Sequence, residues 1–180
     1  MARIFLITGL QAAGKSTVAE LLARRLPLAA HFDGDVLYNG VVSGGVDMTP
    51  DPHPEALRQL RLRYAGSALL AKHYADAGFD FTCSDIMFGA DVERWMEAVA
   101  GHERHLVVLD PSVDAVVARE RGRGSNAYRD WPADLTEAVA MMREDLLTTP
   151  KRGLWLDSGD LTAEETVDRI LDGGATASLW

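Results

Sequence analysis

Within GLQAAGKST, Gly9, Gly14, Lys15 and Ser16 stand at the spacing G-x-x-x-x-G-K-S. Glycines at those two positions let a short loop turn its backbone N–H groups inward, and the lysine and hydroxyl that follow add a cation and a hard oxygen donor. The apolar run RIFLIT precedes the loop and VAELLARRL follows it, a strand and a helix by their periodicity. This flanking puts the positive end of a helix at the loop, an arrangement suited to polyphosphate. The cradle comprises Gly9, Leu10, Gln11, Ala12, Ala13, Gly14, Lys15, Ser16 and Thr17. Lys15 would bridge the outer phosphates of ATP and Ser16 would hold Mg²⁺. A plain glycine turn before a helix would show the same letters without the mechanism.

Three aspartates are candidates for work beside that loop. HFDGDVL places Asp33 and Asp35 where an apolar run ends, the edge at which open parallel sheets bind ligands. Asp33, first past the strand, is the candidate base for an attacking hydroxyl, with Asp35 as a further acceptor contact. Both also suit the N-terminus of a helix through VLYNGVV. FDFTC runs into SDIMFG, so Asp85 would lie beside the phosphate loop if its strand neighbours the first. There it would hold Mg²⁺ or its water, bond Ser16, or contact the acceptor; capping the next helix is the alternative.

ARERGRGSNAYRDW, residues 118–131, gathers Arg119, Arg121, Arg123 and Arg129 around Gly122 and Gly124. Guanidinium forks match phosphate oxygens, and glycine hinges would let a lid over about 119–131 close and exclude water. Arg119 and Arg123 are the expected catalytic arginines, Arg119 also touches nucleotide, and Arg129 faces the acceptor. A solvated basic loop is the competing reading. Tyr128 and Trp131 serve packing or touch base or acceptor. Of Arg58, Arg61 and Arg63, in the segment 54–77, one could reach the acceptor, but solvation is the commoner outcome. The histidines lack metal-ligand spacing, and Cys83 reads as a buried apolar residue.

These residues need elements to hold them. Apolar runs near 3–8, 29–32, 79–83, 105–109 and 153–156 read as strands. Helical period covers 15–26, 54–77, 90–100, 112–121, 134–147 and 162–171. The alternation predicts a parallel sheet with helices on both faces. Ser112 after Pro111, Thr162 with Glu165, and the Pro132 to Asp134 stretch mark helix starts. The glycine- and proline-rich 43–56 is either a mobile loop beside a site or a connector.

One domain accommodates all 180 residues. A net charge of -9 argues against a nucleic-acid partner and favours a small molecule. A single cysteine, with no signal peptide or apolar stretch of spanning length, predicts a soluble cytoplasmic protein with no membrane partner. Oligomeric state leaves no trace in the sequence, and the apolar-ended tail ATASLW either frays or docks on the domain or on a second copy.

Across nearly the whole chain, GLQAAGKST, FDGD, SDIMFGA and ARERGRG occur in the order seen in small P-loop kinases. The chain resembles chloramphenicol phosphotransferase most, with shikimate, gluconate and adenylate kinases in the same group. The resemblance implies a P-loop NTPase α/β/α sandwich whose five-stranded parallel sheet runs 2-3-1-4-5, with an arginine-rich lid and ATP and Mg²⁺ as cofactors. It also implies Asp33 as base, Arg119 and Arg123 as lid arginines, and an acceptor segment over about 33–64. Where that family pairs two aspartates after the third strand, this chain has Ser84 and Asp85. The expected function is transfer of the γ-phosphoryl group to a hydroxyl of an antibiotic or metabolite. The alternatives are a nucleotide or polynucleotide-end kinase and an ATP-binding switch module.

Overall fold

The computed structural model describes residues 1–124, 128 and 134–180. Arg129, Trp131 and Pro132, named above, lie outside the described residues. In chain order the elements begin with β1 (Arg3–Gly9), α1 (Lys15–Arg25), β2 (Ala29–Asp33), α2 (Asp35–Asn39), α3 (Pro54–Asp76) and β3 (Asp80–Ser84). They continue with α4 (Ala90–Ala98), β4 (Glu103–Leu109), α5 (Val113–Arg123), α6 (Leu135–Leu147), β5 (Leu154–Leu156), α7 (Ala163–Asp172) and α8 (Gly174–Ala177).

The pairings between these five strands are all parallel, and the strand order is β2-β3-β1-β4-β5. The chain leaves β1 in one direction along the sheet and returns from β2 in the other. Right-handed crossovers therefore place α1 and α3 on opposite faces. Consistent with this, α1 packs beside α7, and α3 beside α4. Both faces being covered, the central strands are largely apolar: Ile4, Leu6, Ile7, Phe81, Leu106, Val107 and Val108 are buried. Connections leave β1 and β3 in opposite directions, so the crevice between their C-terminal ends is where this topology receives a ligand.

Local chemistry explains the helix ends. Ser112, Asp134 and Thr162 each accept a backbone N–H from the first turn of α5, α6 and α7, and Thr162 and Glu165 form a full capping box. His53 caps α3 through Nδ1, with Pro54 at its first position. On α3 the buried side includes Ala56, Tyr64, Ser67, Ala68, Ala71 and Ala75. Trp95 on α4 donates to Ser67 Oγ at 2.9 Å, which fixes the two helices against each other.

The tail docks rather than frays. Ser178 O accepts the Leu106 N–H at 2.7 Å, Trp180 N donates to Arg104 O at 2.9 Å, and Leu179 bridges His105 antiparallel. The tail thus covers the part of the β4 edge that the short β5 leaves unpaired, and β4 starts two residues before its apolar run. His105 is buried there, stacked on Phe5 and bonded to Ser178 Oγ and Glu103. Among the described residues no helix is long and apolar enough to cross a membrane.

Candidate functional site

The phosphate loop is held by backbone geometry. Gly9 continues the β1 pairing to Leu109, and a Cβ there would come within 2.5 Å of Leu109 O. Ala12 and Gly14 adopt positive φ of 63° and 96°, and Gly14 opens α1 without a side-chain cap. The first N–H groups of α1 are thus left facing the loop. Thr8 Oγ1 donates to Met87 O at 2.7 Å and accepts Met87 N–H at 3.1 Å, fastening the segment after β3 to β1.

Lys15 shares the buried stripe of α1 with Val18, Ala19 and Leu22. Its Nζ donates to Leu10 O at 2.8 Å. Burial lowers its pKa to about 8, against the opposing pull of Asp85, Asp35 and Asp33, while Arg123 adds to the lowering. Ser16 and Thr17 are exposed.

Parallel register brings the acidic residues to the same edge. Asp33 lies beside Ser84, Gly34 N donates to Ser84 O at 2.9 Å, and Asp85 N donates to Ile7 O at 3.3 Å. Asp33 is half-buried and its Oδ1 accepts the Asp35 N–H at 3.0 Å. Burial works to raise its pKa, but the Ser16 hydroxyl and this N–H outweigh it, so the carboxyl sits below its ordinary value. Ser84 stabilises the same charge from nearby, although its buried hydroxyl makes no well-formed hydrogen bond. Asp35 is exposed and opens α2, with Gly34 as N-cap.

Asp85 is engaged elsewhere than expected. Its Oδ1 accepts Arg63 Nη2 at 2.8 Å and the Ile86 N–H at 2.7 Å. Its Oδ2 is buried without a partner, against Gly34, where a Cβ would approach it to 2.1 Å. One oxygen is thus taken by Arg63 and the other is covered by Gly34, while Asp85 still lines the phosphate cavity with Lys15 and Ser16. Burial raises its pKa to about 6, and Arg63, the Ile86 N–H and Lys15 hold it from going higher.

Solvent was the favoured expectation for Arg63, one of three arginines of which one could reach the acceptor, and sequence reasoning did not single it out. Its side chain is 13% exposed, its Nε is buried without a partner, and its guanidinium lies 5.3 Å from the Tyr64 ring and 5.9 Å from Tyr38. A usable signal was its spacing from Leu60 and Ser67, which sets it on the inward face of α3.

The arginines of α5 sit on a helix, not a loop. Gly122 is helical, so it is no hinge, and only Gly124 takes positive φ, at 61°. Arg119 donates to the carbonyls of Ala13 at 3.2 Å, Ser158 at 2.6 Å and Gly159 at 3.1 Å. It braces the phosphate loop against the turn after β5. Arg123, one helical turn on, lines the phosphate cavity. Tyr128 is buried, with its hydroxyl 3.5 Å from Gln11 O.

Two adjoining cavities among the described residues bear on the site. One, of about 430 Å³, is lined by Gln11, Lys15, Ser16, Asp33, Asp85 and Arg123 among others. The second, of about 530 Å³, lies between α2, the loop through 41–48 and α3. Arg63 lines both. A polyphosphate fits the first, which has an inward-facing loop, a buried lysine and, in the exposed Ser16 hydroxyl, an oxygen donor for Mg²⁺.

A family model described as an AAA domain matches residues 4–148. No curated protein matches. Among solved structures, Mycobacterium tuberculosis APS kinase CysC in complex with AMPPNP and APS is similar with a TM-score of 0.70 at 20% identity, covering 95% of this chain and 96% of that one. A sugar kinase from Janibacter sp. gives 0.68 at 18% identity, covering 99% and 96%. The tunicamycin resistance protein of Deinococcus radiodurans gives 0.68 at 18%, covering 96% and 95%. At these identities the likeness is one of fold. With most of its length inside the matched family model, the chain belongs to the AAA domain family and has the fold of the small P-loop kinases.

Proposed function

We propose that the protein is an ATP-dependent O-phosphotransferase whose acceptor is a hydroxylated small molecule bound in the cavity between α2 and α3. The observation that carries this reading is the junction of the two cavities at Arg63, with the charged Asp33 on the phosphate side. A switch that needs only nucleotide has no use for a second cavity meeting the first.

The acceptor oxygen attacks the γ-phosphorus, the bond from that phosphorus to the β–γ bridging oxygen breaks, and ADP departs. Asp33 takes the hydroxyl proton as the new O–P bond forms. Lys15, released from Leu10 O, meets the outer phosphates, and Arg123 faces charge developing on the transferring group. Ser16 would hold Mg²⁺, which neutralises phosphate charge. Arg119 acts as a brace that fixes the loop. The kinase neighbours, including the sugar kinase and APS kinase, support phosphoryl transfer as the chemistry without specifying the acceptor.

The test is mass spectrometry of hydroxylated antibiotics, nucleosides, sugars and sugar acids after incubation with Mg²⁺ and ATP, with Lys15→Ala in parallel. An acceptor that gains one phosphoryl group only with Lys15 intact is the expected result. Phosphorylation at equal rates by Lys15→Ala would contradict the assignment, and nucleotide-dependent capture of a protein without any modified acceptor would favour the switch.

A further inference from the structure

The second cavity is more selective than its position alone implies. Its 530 Å³ lies within the roughly 300–1,000 Å³ typical of sites for single small ligands. Leu37, Val41, Val46, Met48 and Leu60 supply an apolar lining. Most of the polar groups in the walls are already paired with one another. The Tyr38 hydroxyl donates to Asp47. Gln59 accepts the Val46 N–H at 3.0 Å and donates to Gly44 O at 2.9 Å and to Glu55 at 2.8 Å. These bonds hold the loop on α3 and leave few partners for a ligand rich in hydroxyl groups, which would give up water without replacement.

Arg63, the exposed Asn39 and the Asp47 carboxylate keep hydrogen-bonding capacity, and of these only Arg63 also lines the phosphate cavity. A guanidinium carries five N–H donors, of which Asp85 engages Nη2, and the side chain retains exposure where the cavities meet. Its charge is already balanced by Asp85, so it offers donors to an oxygen without calling for an anion. From this we infer that the acceptor is a neutral molecule with an apolar body and few hydroxyl groups, and that Arg63 is the specificity-determining residue that binds its oxygen at the junction. The inference rests on the phosphotransferase reading for the reaction, but its binding claim can be tested without ATP. It separates this chain from a kinase of sugars, sugar acids or nucleotides.

The probe is 6-propionyl-2-dimethylaminonaphthalene, a neutral fluorophore with an apolar body and one carbonyl oxygen, titrated against the full chain. Saturable, blue-shifted emission is expected. Leu60→Asp, which puts a charge in the apolar wall, should weaken binding about tenfold or more. Arg63→Lys should weaken it about fivefold through loss of a hydrogen-bond donor. Leu69→Asp, on the exposed side of α3, should leave it unchanged. At equal concentration 3-phenylpropanol should displace the probe, and glucose and gluconate should not. Absence of saturable binding, equal binding by Leu60→Asp and wild type, or displacement by gluconate but not by phenylpropanol would each overturn the inference. Lys15→Ala should bind the probe as wild type does. Probe binding that behaves as stated, with no Lys15-dependent transfer to any alcohol, would sink the reaction while leaving the cavity assignment standing.

Discussion

The phosphate cavity and the acceptor cavity adjoin, yet they are built by different means. Backbone builds the first: the ends of β1 and β3 and the first turn of α1 converge, Gly9 passes against Leu109 O, and Lys15 fills a buried stripe. Side chains build the second, where Gln59 and Tyr38 tie a coil to α2 and α3 and no strand takes part. A backbone-built site demands particular residue types at fixed spacing. A side-chain-built cavity demands only volume and polarity, which many sequences satisfy.

Glycine substitution tests that difference most sharply. At Gly9 a methyl group meets a backbone oxygen at 2.5 Å, at φ of 153°, so Gly9→Ala should cost about 3 kcal/mol and abolish nucleotide binding. At Gly45 the nearest atom would be Val41 O at 3.4 Å, an ordinary contact. Gly45→Ala should therefore stay within about 0.5 kcal/mol. Urea unfolding of both proteins decides the matter, and equal losses would erase the contrast.

Gly34 belongs to both regions. The carboxylate of Asp85 occupies the space a side chain at Gly34 would need. Gly34→Ala should displace Asp85, loosen Arg63 and destabilise the fold by about 2 kcal/mol. Thermal unfolding, together with probe titration of the acceptor cavity, should record both effects. Intact probe affinity would show that Asp85 does not organise Arg63.

The two ends of the phosphate cavity, at Lys15 and at Asp85 beside Arg63, should also respond to pH in separate windows. Phosphates call for the charged Lys15, so nucleotide affinity should fall by up to about tenfold per pH unit above about 8. Without ligand the trend reverses. The folded pKa lies below the ordinary 10.5, so between about 8 and 10.5 the unfolded chain holds a proton that the folded one has lost, and this group's contribution to stability rises with pH. Asp85, raised by burial to about 6, titrates instead at the Arg63 end of the site. Its folded pKa exceeds the unfolded value near 4, so its contribution to stability is present below about 4 and is lost as pH climbs through about 6. Nucleotide titration and urea unfolding across pH 4 to about 10.5 follow these steps. A single shared transition would contradict the separation.

What the sequence made legible follows the same division. The phosphate loop, the strands and the helix starts at Ser112, Asp134 and Thr162 each depend on a few neighbouring residues, and all are found within a residue or so of their expected place. The strand order came through resemblance to a family, since pairing partners distant along the chain leave no local mark. Arg63 was passed over because its burial depends on Asp85, 22 positions away, and on the coil that closes over α3. The tail was ambiguous because its partner is a β4 edge exposed only by the shortness of β5. Arg119 has the residue type of a phosphate ligand, but the carbonyls of Ser158 and Gly159 that engage it come from the turn after β5.

The most direct test of phosphoryl transfer through Asp33 is to measure kcat and ATP affinity for Asp33→Asn, using the acceptor found by mass spectrometry. The side chain keeps its size and loses its ability to take a proton. A fall in kcat of about a hundredfold or more, with the Kd for ATP changed less than about threefold, is the predicted result. An unchanged kcat would contradict Asp33 as the base and remove the chemical link between the two cavities.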